Sequence, residues 1–292
     1  MKINPILVKN LVLASSFAIM ATMLASCGGS QSATDTPKKD STAQADTKEK
    51  VNVVVKELLA PSDLAAKLEL ADADYNETFT NPIANADNYL TSNTLAALNL
   101  GVYATDLGYT AVYNKAQNTI NYIKTAKKFT DKLGISGSFD AALVARFEKN
   151  INNKDSTVSI IDKAMLNADK YLRDNQRSNI AATVLAGSFI EGLYISSSSV
   201  TTAPEKAKMG IFNDLYKTII DQRQTLKDVI ISLESVERDE KANDVLAGLK
   251  SLETEYKTLD LEGKIANKKP ITDADILPLQ KKTAEVRNKI IK

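Results

Sequence analysis

The 292-residue chain predicts an all-α protein: a bundle of about eight or nine helices, two nearly chargeless ones central and amphipathic ones around them. Three observations carry that expectation. Strand signals are scarce, with alternating β-branched residues mainly at 51–55 and few hairpin dipeptides. Apolar residues recur at spacings of three and four through most of the chain beyond residue 60. Two stretches, 88–114 and 178–203, each hold a single formal charge, Asp106 and Glu191, among apolar, small and aromatic residues. A helix apolar on every side has to be surrounded by others.

The chain opens on a targeting pattern. Lys2 and Lys9 make a positive start, residues 11–23 are apolar but too short to span a bilayer, and small residues follow. The junction Leu24-Ala25-Ser26-Cys27 resembles the lipobox of bacterial lipoproteins, with the lone cysteine of the chain in the right place. The resemblance implies cleavage before Cys27 and lipidation of that cysteine, palmitate included. Each buried methylene adds about 0.8 kcal/mol, so anchoring by several acyl chains is close to permanent. Gly28 stands where an aspartate would imply inner-membrane retention, which implies the outer membrane of a Gram-negative envelope. Residues 30–50 are Ser, Thr, Ala, Asp and Lys with almost nothing to bury, which predicts a disordered tether. A flexible coil of about 20 residues would hold the folded body roughly 25 Å from the lipid. The expected organisation is a signal peptide over 1–26, a lipidated tether over 27–50, a helical core over 51–200 and charged helices over 201–292 packed on that core.

Within the body, Pro61-Ser62-Asp63 opens a short helix over 64–70 with Ser62 as its N-cap, and 72–87 is expected as a loop around Asn81-Pro82. The first low-charge helix starts near Thr91 or Ser92 and runs to about Tyr113. A helix over 117–133 ends at Gly134. Ser138 begins the next, with Phe139, Leu143, Phe147 and Ile151 along one face. Asp155 or Ser156 begins another, which turns Val158, Ile161, Met165, Ala168 and Leu172 inward. A polar turn at 174–179 precedes the second low-charge helix, 180–195, and the run Ser196–Ser199 is expected as a loop or frayed end. Pro204 suits the first position of a helix that carries Phe212, Ile219, Leu226 and Leu233 at intervals of seven. Val245, Leu249, Leu252, Tyr256 and Leu259 repeat that seam, and Val286 and Ile290 close a last helix after Thr272 and Pro278. Between the seams lie Lys, Arg, Asp and Glu of both signs, the pattern of a solvated exterior.

Composition excludes much chemistry. There is no histidine, no tryptophan and one cysteine, already assigned to the anchor. That removes Ser-His-Asp and Cys-His catalysis, histidine-ligated metals, thiol nucleophiles and the strongest aromatic platform for sugars or quaternary amines. No cofactor and no metal site are expected. Losing Lys2 and Lys9 with the signal turns the formal charge from +1 to about −1, so nothing points to nucleic acid. Phosphate-cradling glycine motifs are absent. Asp72-x-Asp74-x-Asn76 has the first spacings of a calcium loop, but Glu77 and Ile83 stand where the glycine and the closing glutamate belong, which leaves a polar turn.

Asp106 and Glu191 are the candidate site. Each follows a glycine (Gly101, Gly187) by five or four residues and precedes a tyrosine (Tyr109, Tyr194) by three; Tyr103 lies three before Asp106. Residues three apart share a helix face. A carboxylate in such surroundings must be paired, hydrogen-bonded or protonated. One reading is a small polar pocket between the central helices that binds a cation, an amine or a sugar. The other is a buried network that fixes how the two helices pair, with Arg146, Arg173 or Arg177 as countercharge. Glycosidase-type acid/base chemistry would want an open cleft and a stacking surface, and neither is indicated.

The segments GVYATDLGY (101–109) and AGSFIEGLY (186–194) look like those of an uncharacterised group of α-helical Gram-negative envelope lipoproteins. That resemblance implies architecture without activity. The imelysin-like helical lipoproteins carry Gly-x-His-x-x-Glu; a chain without histidine lacks the motif and its metal-related role. The expectation is a lipid-anchored envelope protein that works as a non-catalytic scaffold or binds an envelope partner through its C-terminal helices. The alternative is a small-ligand-binding protein with its pocket at Asp106 and Glu191.

Overall fold

The computed structural model describes residues 61–139, 141–203 and 212–292. The signal segment, Cys27, the tether, the 51–55 run and the Pro204 helix start lie outside them. The described residues form ten α-helices and no strand. They are α1 (Pro61–Leu70), α2 (Asn93–Val112), α3 (Ala116–Lys132), α4 (Ala141–Asn150), α5 (Lys154–Asp174), α6 (Ser178–Thr201), α7 (Asn213–Glu234), α8 (Glu240–Leu259), α9 (Leu261–Ala266) and α10 (Asp273–Ile291).

The two chargeless helices α2 and α6 pair at the centre. Helices α1, α3 and α5 cover α2, while α7 and α10 cover α6, and α8 bridges α7 and α10. From Ala96 to Val112 every residue of α2 is buried, and almost all of α6 is as well. Helix α6 is the one described helix long and apolar enough to cross a bilayer, and 94% of its apolar window is buried inside the protein. Its neighbours supply the apolar surroundings that lipid would otherwise provide.

Glycine sets the distance between the central pair. A Cβ added at Gly101 would stand 2.1 Å from the Val184 carbonyl oxygen, and one at Gly187 2.0 Å from the Leu98 carbonyl oxygen. The contact is reciprocal, backbone against backbone. Ser188 then donates its hydroxyl to the Gly101 carbonyl at 3.2 Å, and Thr105 donates to the same oxygen at 3.1 Å.

Several boundaries differ from the expected ones. Helix α1 begins at Pro61, so Ser62 lies inside it and donates its hydroxyl to Asp162 on α5 instead of capping. The anticipated loop 72–87 carries two 3-10 turns, Glu77–Phe79 and the start of Ile83–Thr91, on either side of Asn81-Pro82. Asn76 caps the first by accepting the Thr78 backbone N–H, so the calcium-like triplet is a polar turn, and among the described residues no acidic cluster could hold a metal. Ser92 caps α2 by accepting the Leu95 N–H at 3.1 Å. Residues 136–139, the expected start of the next helix, form a 3-10 turn, helix α4 is described over Ala141–Asn150, and Asn153 caps α5. The serine run 196–199 is the largest correction: it is buried helix. Ser196, Ser197 and Ser199 donate to the carbonyls of Gly192, Leu193 and Ile195 at 2.6–3.0 Å, so the hydroxyls are satisfied by their own helix.

The glycine contact yields a direct test. Gly101→Ala and Gly187→Ala each force backbone atoms apart, and each should cost more than the about 1–3 kcal/mol of ordinary overpacking. Gly137, with nothing within 4 Å of an added Cβ, should tolerate alanine unchanged. Urea midpoints of the three variants check this; equal midpoints would mean that the glycines do not set the packing.

Candidate functional site

Because α2 and α6 meet at Gly101 and Gly187, the acids one turn further along are brought face to face. Asp106 and Glu191 are both fully buried and lie close enough for their charges to interact. Two buried carboxylates that close cannot both ionise freely. Burial, and then the charge of Glu191, push Asp106 well above the usual carboxylate range, against the opposing pull of Arg287 and of the Asn81 N–H. That shift favours the neutral form of Asp106. Its Oδ2 accepts the Asn81 backbone N–H at 2.9 Å, and its Oδ1 has no N–H donor.

Glu191 is held by Arg287 of α10 in a two-pronged ion pair. Arg287 Nε donates to Oε2 at 2.6 Å and Nη2 to Oε1 at 2.7 Å. Nη2 also donates to the Phe79 carbonyl at 3.2 Å, and the guanidinium lies over the Tyr194 ring, 4.2 Å from its centroid. Burial alone would lower the Arg287 pKa, but the Glu191 charge and hydrogen bonds raise it above its ordinary value. The countercharge is thus Arg287, and none of the arginines anticipated for it. Arg173 pairs with Asp169 within α5, Arg146 is exposed and donates to the Ala142 carbonyl, and Arg177 precedes α6.

The tyrosines have separate tasks. Tyr103 donates to the Pro82 carbonyl at 2.7 Å, and the Tyr109 hydroxyl accepts the Asn76 backbone N–H at 2.9 Å. Burial pushes the Tyr109 hydroxyl up to about 12, so it remains protonated. Together with Asp106 they clamp the 76–82 segment along one face of α2. Tyr122 on α3 adds a fourth hold, donating to the Asn81 carbonyl at 2.7 Å. Tyr194 instead belongs with Glu191, stacked on Arg287.

Arg287, Asn81 and Tyr122 were not singled out by the sequence. Arg287 carries a usable signal: it lies four residues beyond Thr283 and eight beyond Leu279, both buried, on the inward stripe of α10. Asn81 has none, because its role depends on a backbone N–H. The cluster is a closed, internally compensated one. Neither carboxyl faces solvent, and a buried network of this kind specifies how the helices pack. What the fold and cluster define is a helical bundle whose two core helices are locked by a carboxyl pair and one arginine. Comparison with protein-family models, with curated proteins and with solved structures finds no match to this chain.

Two outcomes follow. Glu191→Gln or Arg287→Met strands a buried charge and should cost about 3–5 kcal/mol in denaturant melts. The sign for Asp106 is the reverse of the usual carboxylate. Its folded pKa is raised, so its contribution is complete below about pH 4, the unfolded value, and is lost as pH rises toward the folded one. Asp106→Asn keeps a donor toward Glu191 without a titrating proton. The variant should therefore lose less stability than wild type between pH 5 and pH 8, and parallel stability-versus-pH curves would refute the protonated Asp106.

Proposed function

We propose that this chain is a lipid-anchored, non-catalytic protein of the cell envelope, attached to the outer membrane through lipidated Cys27 and acting by binding a partner protein. The observation that carries the non-catalytic reading is the closure of its acidic cluster: both carboxyls are fully buried, Asp106 with its pKa raised by that burial and Glu191 paired with Arg287. Acid/base or nucleophilic chemistry needs a group that reaches substrate.

The partner surface is assigned to the outer faces of the C-terminal helices. Among the described residues, five large apolar side chains are exposed, and three of them (Ile231, Ile265 and Leu277) stand on α7, α9 and α10. Around them charges of both signs pair within the protein: Lys250 with Glu234 at 2.5 Å, Lys289 with Asp244 at 2.6 Å and Lys282 with Glu285 at 2.7 Å. Exposed pairs of this kind contribute little to stability, so that surface tolerates substitution.

Labelling with radioactive palmitate tests the anchor: incorporation should vanish in Cys27→Ser, and label that persists there would overturn it. A photo-crosslinker placed at Ile231 or Leu277 in intact envelopes should trap one defined protein, whereas the same group at Leu70 should not. Random adducts at all three positions would count against the partner reading.

A further inference from the structure

Beside the closed cluster lies an open groove of about 560 Å³ that the partner-binding reading does not use. Its walls are the 77–85 segment, the first half of α3 and the end of α10, and its polar lining includes Asn81, Asn85, Asn118, Asn121, Tyr122 and Arg287. The volume falls within the about 300–1,000 Å³ typical of small-molecule sites. The groove rests on the same segment that Asp106, Tyr103 and Tyr109 clamp, so its floor is rigidly held.

The donors and acceptors left over in that lining define what fits. Arg287 is only 8% exposed, and its Nε and Nη2 are occupied by Glu191 and Phe79, yet Nη1 has no acceptor among the described residues. Asn81 is fully buried, and neither atom of its side-chain amide makes a well-formed hydrogen bond, although it lies near the Tyr89 hydroxyl. Asn118 uses its amide nitrogen on Tyr75 and Glu77 and keeps its carbonyl oxygen spare. Asn121 accepts from Gln117 and keeps its amide nitrogen spare. The Asn81 amide is sealed beneath the groove, but Arg287, more than nine-tenths buried, lines it with Nη1 free of any acceptor among the described residues, a donor that a ligand in the groove would complete.

The charges balance. Arg287 is neutralised by Glu191, and the remaining charges at the rim, Glu77 and Lys292, are of opposite sign. No cluster of like-charged side chains lines the groove. Carboxamides offer a donor and an acceptor side by side, and each sugar hydroxyl does the same. We infer that this groove binds an uncharged polyhydroxylated ligand, of the size of a mono- or disaccharide, hydrogen-bonded by Asn118, Asn121 and Arg287 Nη1. No aromatic face is open for stacking, since the Tyr122 ring is buried, so binding is weak and carried by hydrogen bonds.

The inference does not depend on the anchor or on a partner, and its test leaves both aside. The full chain in a sugar-free detergent is titrated with glucose, N-acetylglucosamine and maltose, and in parallel with glucuronate and inorganic phosphate, while side-chain amide resonances of asparagine are followed by NMR. The expected result is saturable shifts with at least one neutral sugar at millimolar concentration. Affinity should fall at least tenfold in Asn118→Ala/Asn121→Ala, whose two sites are part-exposed and whose melt should stay near wild type, and should be unchanged in Lys170→Ala, an exposed lysine far along the chain from the groove. Saturation by glucuronate or phosphate alone, an unchanged affinity in the double variant, or no saturable shift with any of the five probes would each overturn it.

Discussion

Everything in this fold depends on how closely α2 and α6 approach. At Gly101 and Gly187 the helices touch backbone to backbone, with no room for a single Cβ on either side. Helices that close share one register, because sliding either by a residue would drive a side chain into the opposing carbonyls. The register then decides which residues face each other further along. Five residues past one glycine and four past the other, that means two carboxyl groups.

Two acids in a dry core are tolerable only under specific terms, and the rest of the architecture supplies them. Burial shifts Asp106 toward its neutral form, and one arginine must reach Glu191. Arg287 arrives on α10, nearly a hundred positions later in the chain, and ties the C-terminal helices to the central pair. The second Asp106 oxygen takes the Asn81 N–H, while Tyr103, Tyr109 and Tyr122 hold neighbouring backbone groups of the same segment. Asn99 makes a similar tie, donating to the Ile290 carbonyl at 3.2 Å. Each link satisfies a buried polar group, and each joins elements distant in sequence. Such networks specify one arrangement because partial satisfaction is costly.

This arrangement also separates the two roles the acids were offered. A pocket needs an unsatisfied polar wall; the carboxyl pair is internally compensated. The open polar wall lies one residue layer out, where Arg287 borders a groove lined also by Asn118 and Asn121. The same guanidinium therefore closes the core on one side and borders an open surface on the other.

By itself the sequence determined the all-α class, the two chargeless central helices, and the paired glycines, acids and tyrosines that mark them. These follow from local rules: helical periodicity, the absence of charge around a helix, and i, i+3 spacing on one face. It also put the start of α2 near Thr91 or Ser92, where Ser92 is the cap, and the end of α3 at Gly134, because cap chemistry is local. It misjudged the serine run 196–199, because hydroxyl content reads as turn unless one knows that the segment is buried and the hydroxyls can bond back to their own helix. The choice of Arg287 over Arg146, Arg173 and Arg177, the protonation of Asp106, and the groove at Asn81 and Asn121 were decided by tertiary structure alone. Each depends on which distant segments converge on one point, and neither composition nor spacing along a single helix carries that information.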